Sequence, residues 1–132
     1  MAELGHWDVN GIKLDGKLCP SGVDALGSAR VYTNGGQVFA DVYAEYRNAC
    51  AIDDISPSVA VGFFEGGNNL GQISVPVPVV PARGFQPPTA RSATATLQLP
   101  SGHTLDRIEW TFVNNGTGST SIRQTHMAVP LP

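Results

Sequence analysis

The clearest pattern of apolar and polar positions lies in the segment from Gln37 to Arg47, QVFADVYAEYR. Its side chains alternate between two sets: Val38, Ala40, Val42, Ala44 and Tyr46 form one, and Phe39, Asp41, Tyr43, Glu45 and Arg47 form the other. A period of two residues places these sets on opposite faces of an extended chain. The segment is therefore predicted to be a half-buried β-strand.

Similar alternation recurs along the chain, and clusters of Gly, Pro or Asn interrupt it at near-regular intervals. No stretch carries apolar residues at helical spacing over a length that supports a stable helix. The 132 residues suffice for one packed core, so residues 1–132 are expected to form a single domain. The sequence predicts an all-β, two-sheet sandwich of about seven to nine strands, with a closed β-barrel as the alternative.

Three hairpins are predicted from Gly-containing turns. Tight turns are expected at Asn10-Gly11 and Asn34-Gly35, where the central residues need positive φ. A four-residue loop is expected at residues 66–69. The strands of the second hairpin are expected at the centre of a sheet, and residues 19–28 before it are expected to be a loop.

The second half of the chain contains the heaviest apolar strand. The segment LDRIEWTFV places Ile108, Trp110 and Phe112 on one face, so this strand is expected to pack in the core with Trp110 buried. His103 lies in a Pro-Ser-Gly-His turn and is expected to be exposed. Residues 120–129 are predicted to form one terminal strand.

Prolines limit one of the predicted strands. Pro76, Pro78 and Pro81 have no backbone N–H to donate to a β-ladder. The strand that leads into them is therefore expected to end early or to lie at a sheet edge.

Composition and charge narrow the partners. Net charge is -3 and the eight Lys and Arg residues are scattered, which argues against a nucleic-acid partner. No apolar run approaches the roughly 18 to 20 residues of a membrane span, and the first residues, MAELGHWDVN, lack the pattern of a signal peptide. A charged fraction of 14%, about half the usual share, is typical of secreted or cell-surface β-modules, and we expect that location.

The chain has two cysteines, Cys19 and Cys50. A disulfide between them would close a loop of about 30 residues and stabilise the domain by roughly 3 to 4 kcal/mol. The alternative is a pair of buried free thiols.

The middle of the chain, residues 37–81, resembles bacterial immunoglobulin-like modules of the CARDB type. In those modules an alternating Val strand ends in a polar Asn bend, a V-x-V-x-F-Y/F strand follows, and a Gly-Asn turn leads into LxGxxxV. The matching pieces are residues 42–48, 59–64, 66–69 and 70–75, followed by SATATLQL and RIEWTFVN as paired strands. Cys50 stands where Gly is common, and the N-terminal part with Cys19 has no counterpart. The resemblance implies an immunoglobulin-like sandwich used for adhesion or as a spacer, with no catalytic residues.

No residue pattern predicts catalysis or a metal site. The three histidines have neither i, i+2 nor i, i+4 spacing, and no D-x-D-x-D-G loop is present for calcium. The carboxylates show no acid/base pairing for glycoside hydrolysis, and no Ser is set beside a His in a nucleophile turn. We therefore expect no cofactor, no metal and no enzymatic activity.

The aromatic residues of the first half are the candidate ligand-binding set: Trp7, Tyr32, Phe39 and Tyr43. If the face of Phe39 and Tyr43 is exposed, it offers a surface on which sugar rings or apolar side chains of a partner can stack. The other interpretation makes this face the core, with the Val/Ala face covered by something else. We favour the core interpretation at this point, since a two-sheet sandwich can bury aromatics.

Three functional hypotheses follow. The first is a non-enzymatic binding or adhesion module that recognises carbohydrate or protein. The second is a structural unit of an appendage, capsid or toxin, in which copies of the chain form a homo-oligomer. The third is a small enzyme or inhibitor without a recognisable motif.

Overall fold

A computed structural model describes all residues, 1–132, and contains no helix. The chain has no helical segment with the length and apolar character needed to cross a membrane. The ten strands are β1 (Ala2–Leu14), β2 (Val23–Asn34), β3 (Gln37–Asn48), β4 (Pro57–Glu65), β5 (Asn68–Val75), β6 (Thr89–Leu99), β7 (His103–Leu105), β8 (Arg107–Asn114), β9 (Gly118–Gln124) and β10 (Val129–Leu131).

The strands form two four-stranded antiparallel sheets. The first sheet has the order β1-β2-β3-β6, the second has the order β5-β4-β8-β9, and β7 pairs with β10 in a short separate ribbon. Neither sheet closes on itself, so the predicted sandwich is confirmed and the barrel alternative is wrong. The strand count of ten is slightly above the predicted range, because the C-terminal part divides into short strands.

Three connections cross between the sheets. The chain passes from β3 to β4, returns from β5 to β6, and crosses again from β6 to the second sheet, where β8 pairs with β4. Consequently β6 lies beside β3 rather than beside β5, its neighbour in sequence. This is the Greek-key connectivity found in immunoglobulin-like sandwiches.

The core is built from small side chains on one sheet and large ones on the other. The first sheet contributes mainly Ala, Val and Gly together with the fully buried Tyr46, whereas the second contributes Phe63, Trp110 and Phe112, all fully buried. The rings of Trp110 and Phe112 stack with centroids 5.7 Å apart. A Cβ atom on Gly27 would lie 2.6 Å from the Trp110 ring, so Gly27 leaves the space that the indole occupies.

The first predicted hairpin is wrong. The strand β1 runs continuously through Asn10-Gly11 and pairs with β2 on both sides of it. Val9 pairs with Gly27 and Ile12 with Ala25, so two residues of β1 face one of β2, which is a β-bulge with Gly11 at φ +67°. Positive φ at Gly suits a bulge as well as a turn. A hairpin with arms of a few residues is marginal in water, whereas the bulged strand keeps ten paired positions.

The second hairpin is confirmed, with Gly35 and Gly36 both at positive φ in its turn and with β2 and β3 central in their sheet. Three other boundaries differ from prediction. The predicted loop of residues 19–28 ends at Gly22, the turn between β4 and β5 is two residues long, and the terminal segment breaks after Gln124. In each case pairing with a neighbouring strand extends or interrupts a pattern that is ambiguous in sequence.

The remaining expectations concern single residues. The strand before the prolines ends at Val75 and lies at a sheet edge, as predicted. Trp110 is buried as predicted. His103 is not simply exposed: it begins β7, is half-buried, and its Nδ1 lies 2.8 Å from Glu65 Oε1. The turn residues alone did not indicate that Glu65, at the end of β4, is the hydrogen-bond partner of His103.

Candidate functional site

The two faces of β3 have opposite environments. The side chains of the Val/Ala set, from Val38 to Tyr46, are fully buried, whereas Phe39 and Tyr43 on the other face are half-buried. The interpretation that the aromatic face is the core is therefore wrong. Tyr46 is the one aromatic residue of this buried set, and its ring lies 6.1 Å from that of Phe112. The other members are Val and Ala, whose small side chains pack against the large rings of the second sheet.

Three of the four candidate aromatic residues share one surface. Tyr32 on β2 pairs with Phe39 on β3. Tyr43 lies four residues further along β3, on the same face as Phe39. Trp7 pairs with Ala29 and packs against the core, so it lies on the opposite side of the sheet. We call the solvent side of the first sheet the outer face; its central residues are Ser28, Arg30, Tyr32, Phe39, Asp41, Tyr43, Glu45, Thr94 and Thr96.

Asp41 is the centre of a hydrogen-bond network on the outer face. Its carboxylate accepts bonds from Thr96 Oγ1 at 2.7 Å, Tyr32 Oη at 3.0 Å and Arg30 Nη2 at 3.1 Å. Partial desolvation acts to raise the pKa of Asp41, but the bonds from Thr96, Arg30 and Tyr32 together outweigh it and hold the pKa below its ordinary value. The carboxylate is therefore ionised and fixed in position across three strands.

Tyr32 is held flat on the sheet between its neighbours. The Arg30 guanidinium lies 4.7 Å from the centre of the Tyr32 ring, and the Phe39 ring stacks on it at 5.9 Å. Only 9% of Tyr32 is exposed. Desolvation, with the bond to Asp41, raises the pKa of the Tyr32 hydroxyl. Tyr32 therefore supports Phe39 rather than presenting a free ring.

Tyr43 lies beside a second fixed carboxylate. Its hydroxyl donates a 2.7 Å hydrogen bond to Glu45 Oε1, and this bond raises the pKa of Tyr43. Across the strand pair, Ser28 and Thr94 lie on either side of Tyr43. The outer face thus combines two half-exposed aromatic rings, two oriented carboxylates and several hydroxyl groups.

One end of the sandwich is joined by a disulfide and buried amides. Cys19 and Cys50 are bonded with their Cα atoms 5.8 Å apart, so the free-thiol alternative is wrong. The fully buried Asn48 donates to the carbonyl of Asp53 at 2.7 Å and accepts from Cys50 N at 2.9 Å. Asn114 similarly donates to the carbonyl of Asp15 at 2.9 Å. These contacts fix the loops at this end of the molecule.

The same end has the one cluster of metal-ligating residue types. Atoms of Cys19, Cys50 and Asp53 lie within 4.8 Å of one another. Because both sulfurs are in the disulfide, neither is a thiolate ligand. Asp53 Oδ2 accepts a hydrogen bond from Leu18 N, so the carboxylate serves to hold the loop.

Sequence reasoning missed a group of apolar residues on these loops. Leu18, Ile52 and Phe85 are strongly exposed, and each lies in a different loop at the disulfide end. Each of the three is a large apolar residue within a Gly-, Pro- or Asp-rich segment, where a residue of the core is not expected, and this could have marked it as an exposed loop residue.

No known family model, curated protein or solved structure matches the chain. The likeness to CARDB-type modules stays a prediction, and the functional argument depends on the surfaces themselves.

Proposed function

We propose that the chain is a non-enzymatic binding module of the adhesion type that recognises carbohydrate on the outer face of its first sheet. The observation that carries this proposal is the pair of half-exposed rings, Phe39 and Tyr43, on one rigid strand beside the fixed carboxylates of Asp41 and Glu45.

A sugar presents an apolar C–H surface and hydroxyl groups at its rim. Aromatic rings such as Phe39 and Tyr43 can stack against the C–H surface, and ionised carboxylates accept strong hydrogen bonds from the hydroxyl groups. In the same rows of the sheet, Thr94 adds an exposed hydroxyl group, and the Thr96 oxygen, whose proton is donated to Asp41, adds an acceptor. Since the network around Asp41 is already formed, the ligand does not need to order these groups.

The ionised state of Asp41 favours binding over hydrolysis. Hydrolysis of a glycoside requires a carboxyl group kept protonated by a raised pKa. The pKa of Asp41 is instead lowered, because its three hydrogen bonds outweigh desolvation. Glu45 is engaged by Tyr43. We therefore assign both carboxylates to ligand binding.

The location that we propose is secreted or cell-surface. The disulfide between Cys19 and Cys50 is compatible with an oxidising, extracellular environment. An adhesion role requires such a location.

A glycan array with the purified protein tests the proposal, and the double variant Phe39→Ala/Tyr43→Ala tests the site. We expect the double variant to lose about tenfold or more in affinity for any glycan that binds, since hot-spot aromatics typically contribute at this level.

The matched control is Phe64→Ala, which removes a half-buried ring on the second sheet that also lies under an Arg side chain. It should leave glycan affinity unchanged. An array without binding, or equal losses in both variants, would contradict the carbohydrate proposal.

A further inference from the structure

Three apolar side chains protrude from separate loops at the disulfide end. Relative to a free residue, the exposed fraction is 68% for Leu18, 67% for Ile52 and 106% for Phe85. We call these three residues the apolar tips. Exposed apolar residues are common singly, but three on adjoining loops mark an interaction surface.

The loops that carry the apolar tips are joined to one another. Arg83 N donates to the carbonyl of Cys50 at 3.0 Å, and Gly84 N donates to that of Ala51 at 3.1 Å, so the Phe85 loop lies along the Ile52 loop. Leu18 N donates to Asp53, and the disulfide joins the same two loops. The three loops that carry the apolar tips are therefore held together by backbone hydrogen bonds and the disulfide.

Positive charge accompanies the tips. Residues 13–24, 47–57, 76–91 and 114–120, which form this end, contain five of the eight Lys and Arg but only four of the eleven Asp and Glu. Lys17, Arg47 and Arg91 are exposed and form no salt bridge.

The carboxylates at this end already have partners within the chain. Asp15 accepts from Ser21 N, Asp53 from Leu18 N and Asp54 from Ala82 N. Asp24 pairs with Lys13. The three carboxylates bonded to backbone N–H groups keep their charge but are held in the loops. With five cationic and four acidic residues this end has a net charge of +1, in a chain of net charge -3, and its side chains without a partner are cationic, which favours an anionic partner.

The surface between the tips is polar and lacks an apolar groove. A cleft of about 370 Å³ is lined by nine residues, of which Ile52 is the one hydrophobic member. A second cleft of about 490 Å³ beside it has Leu18 as its one hydrophobic residue. A protein hot spot needs a dry, packed centre. A lipid interface instead admits protruding side chains and leaves polar clefts in contact with headgroups and water.

We propose that this end of the sandwich docks on an anionic lipid bilayer, with the apolar tips in the boundary between headgroups and acyl chains and with Lys17, Arg47 and Arg91 facing the phosphates. Arg47 lies at the end of the outer face, two residues beyond Glu45, but the apolar tips are in loops outside that face, and the inference does not depend on carbohydrate binding.

Flotation with vesicles tests it. We expect binding to vesicles of phosphatidylglycerol mixed into phosphatidylcholine and much weaker binding to phosphatidylcholine alone. Phe85→Ser should reduce the partition coefficient by about tenfold or more, because the buried phenyl ring is lost. Lys17→Glu should reduce it by at least about fivefold, because each cation near an anionic surface contributes on that order. Added salt should weaken binding by the wild-type protein.

The control is Leu26→Ser, which removes an exposed leucine from strand β2 rather than from one of the three tip loops. It should bind vesicles like the wild type. Ile52→Ser provides an independent tip variant if Phe85→Ser lowers the melting temperature.

The proposal is overturned if anionic vesicles do not bind the protein, which would assign the surface to an acidic protein partner. It is also overturned if both tip variants bind normally while Lys17→Glu does not, which would indicate electrostatic adsorption alone. Equal losses in Leu26→Ser and the tip variants would overturn it as well.

Discussion

The inner faces of the two sheets contribute very different side chains to the same core. The first sheet offers Gly27, Ala40 and Ala44, whereas the second offers Trp110 and Phe112, and all of these are buried. Small residues on one side are matched by large ones on the other, which keeps the interior at crystal-like density. Burial of a small-residue face is therefore explained by the sheet opposite to it.

The outer face of the first sheet shows the consequence. The second sheet covers the face of β3 that includes Tyr46, so Phe39 and Tyr43 on the opposite face remain at the solvent boundary. There they form polar contacts, such as the 2.7 Å bond between Tyr43 and Glu45. Tyrosine thus packs in the core at Tyr46 and forms part of a surface at Tyr43.

The largest effect is expected from removing the bulk of the second sheet. Trp110→Ala should lower the free energy of unfolding by about 3 to 5 kcal/mol, because it leaves a cavity that the small first-sheet residues cannot fill. It also removes the 2.8 Å bond from Trp110 Nε1 to Gln124 Oε1. Urea denaturation measures the change, with Phe64→Ala as the control for a ring at the surface. A loss below about 1 kcal/mol would contradict the size-matching argument.

Adding bulk to the first sheet should have the next largest effect. Gly27→Ala places a Cβ 2.6 Å from the Trp110 ring, and overpacking of this kind typically costs about 1 to 3 kcal/mol. Gly118→Ala is the matched control, since a Cβ there meets nothing within 4 Å. In a Trp110→Ala background the cost of Gly27→Ala should fall to what its 3.0 Å approach to the Tyr43 carbonyl oxygen causes. An unchanged cost in that double-mutant cycle would assign the effect to strand propensity rather than to the indole.

Truncating the outer-face rings should change stability much less. Phe39→Ala and Tyr43→Ala should each cost up to about 1 kcal/mol, the range of cross-strand pairs on a solvated face. Thermal unfolding of the double variant checks this. A loss of several kcal/mol would indicate that the rings belong to the folding core, and it would weaken any binding result from the same variant.

The smallest effect concerns Asp41 and depends on pH. Its pKa in the folded state is lowered from the ordinary value of 3.8, since its hydrogen bonds outweigh desolvation. A lowered pKa means that the ionised carboxylate stabilises the folded state fully above about pH 4, and that this contribution is lost as pH falls through the folded-state pKa. Asp41→Asn should lose no more than about 1 kcal/mol at neutral pH, because the network is partly exposed. Urea denaturation at several pH values should show a smaller loss toward acid pH in the variant; parallel profiles would contradict the assignment.

Local patterns in the sequence were sufficient for the elements with strong periodicity. Alternation of apolar and polar residues identified β3. The large apolar side chains of Ile108 and Trp110 on one face identified β8 as a buried strand, and the prolines after Val75 marked the end of β5. The all-β class, the two-sheet sandwich and the second hairpin followed from the same rules; the turn of that hairpin is at Gly35-Gly36, one residue beyond the expected Asn34-Gly35. These rules work because side-chain alternation and turn conformations are set by the backbone within a few residues.

The candidate surfaces were less predictable. Alternation shows that β3 has two different faces, but it does not say which one the second sheet covers. Asn10-Gly11 was equally compatible with a turn and with a bulge, and pairing along β2 decided for the bulge. The network of Asp41 and Thr96 joins residues 55 positions apart, and no local signal announces it.

By itself, the sequence determined the all-β class and the strands with strong alternation, since both depend on near neighbours in the chain. Only the tertiary structure decided that the face of β3 from Val38 to Tyr46 lies inside and the face of Phe39 and Tyr43 outside, because that choice depends on which face is covered by a second sheet formed later along the chain. The same holds for the apolar tips: Leu18, Ile52 and Phe85 become one surface only because the disulfide and backbone hydrogen bonds bring three distant loops together.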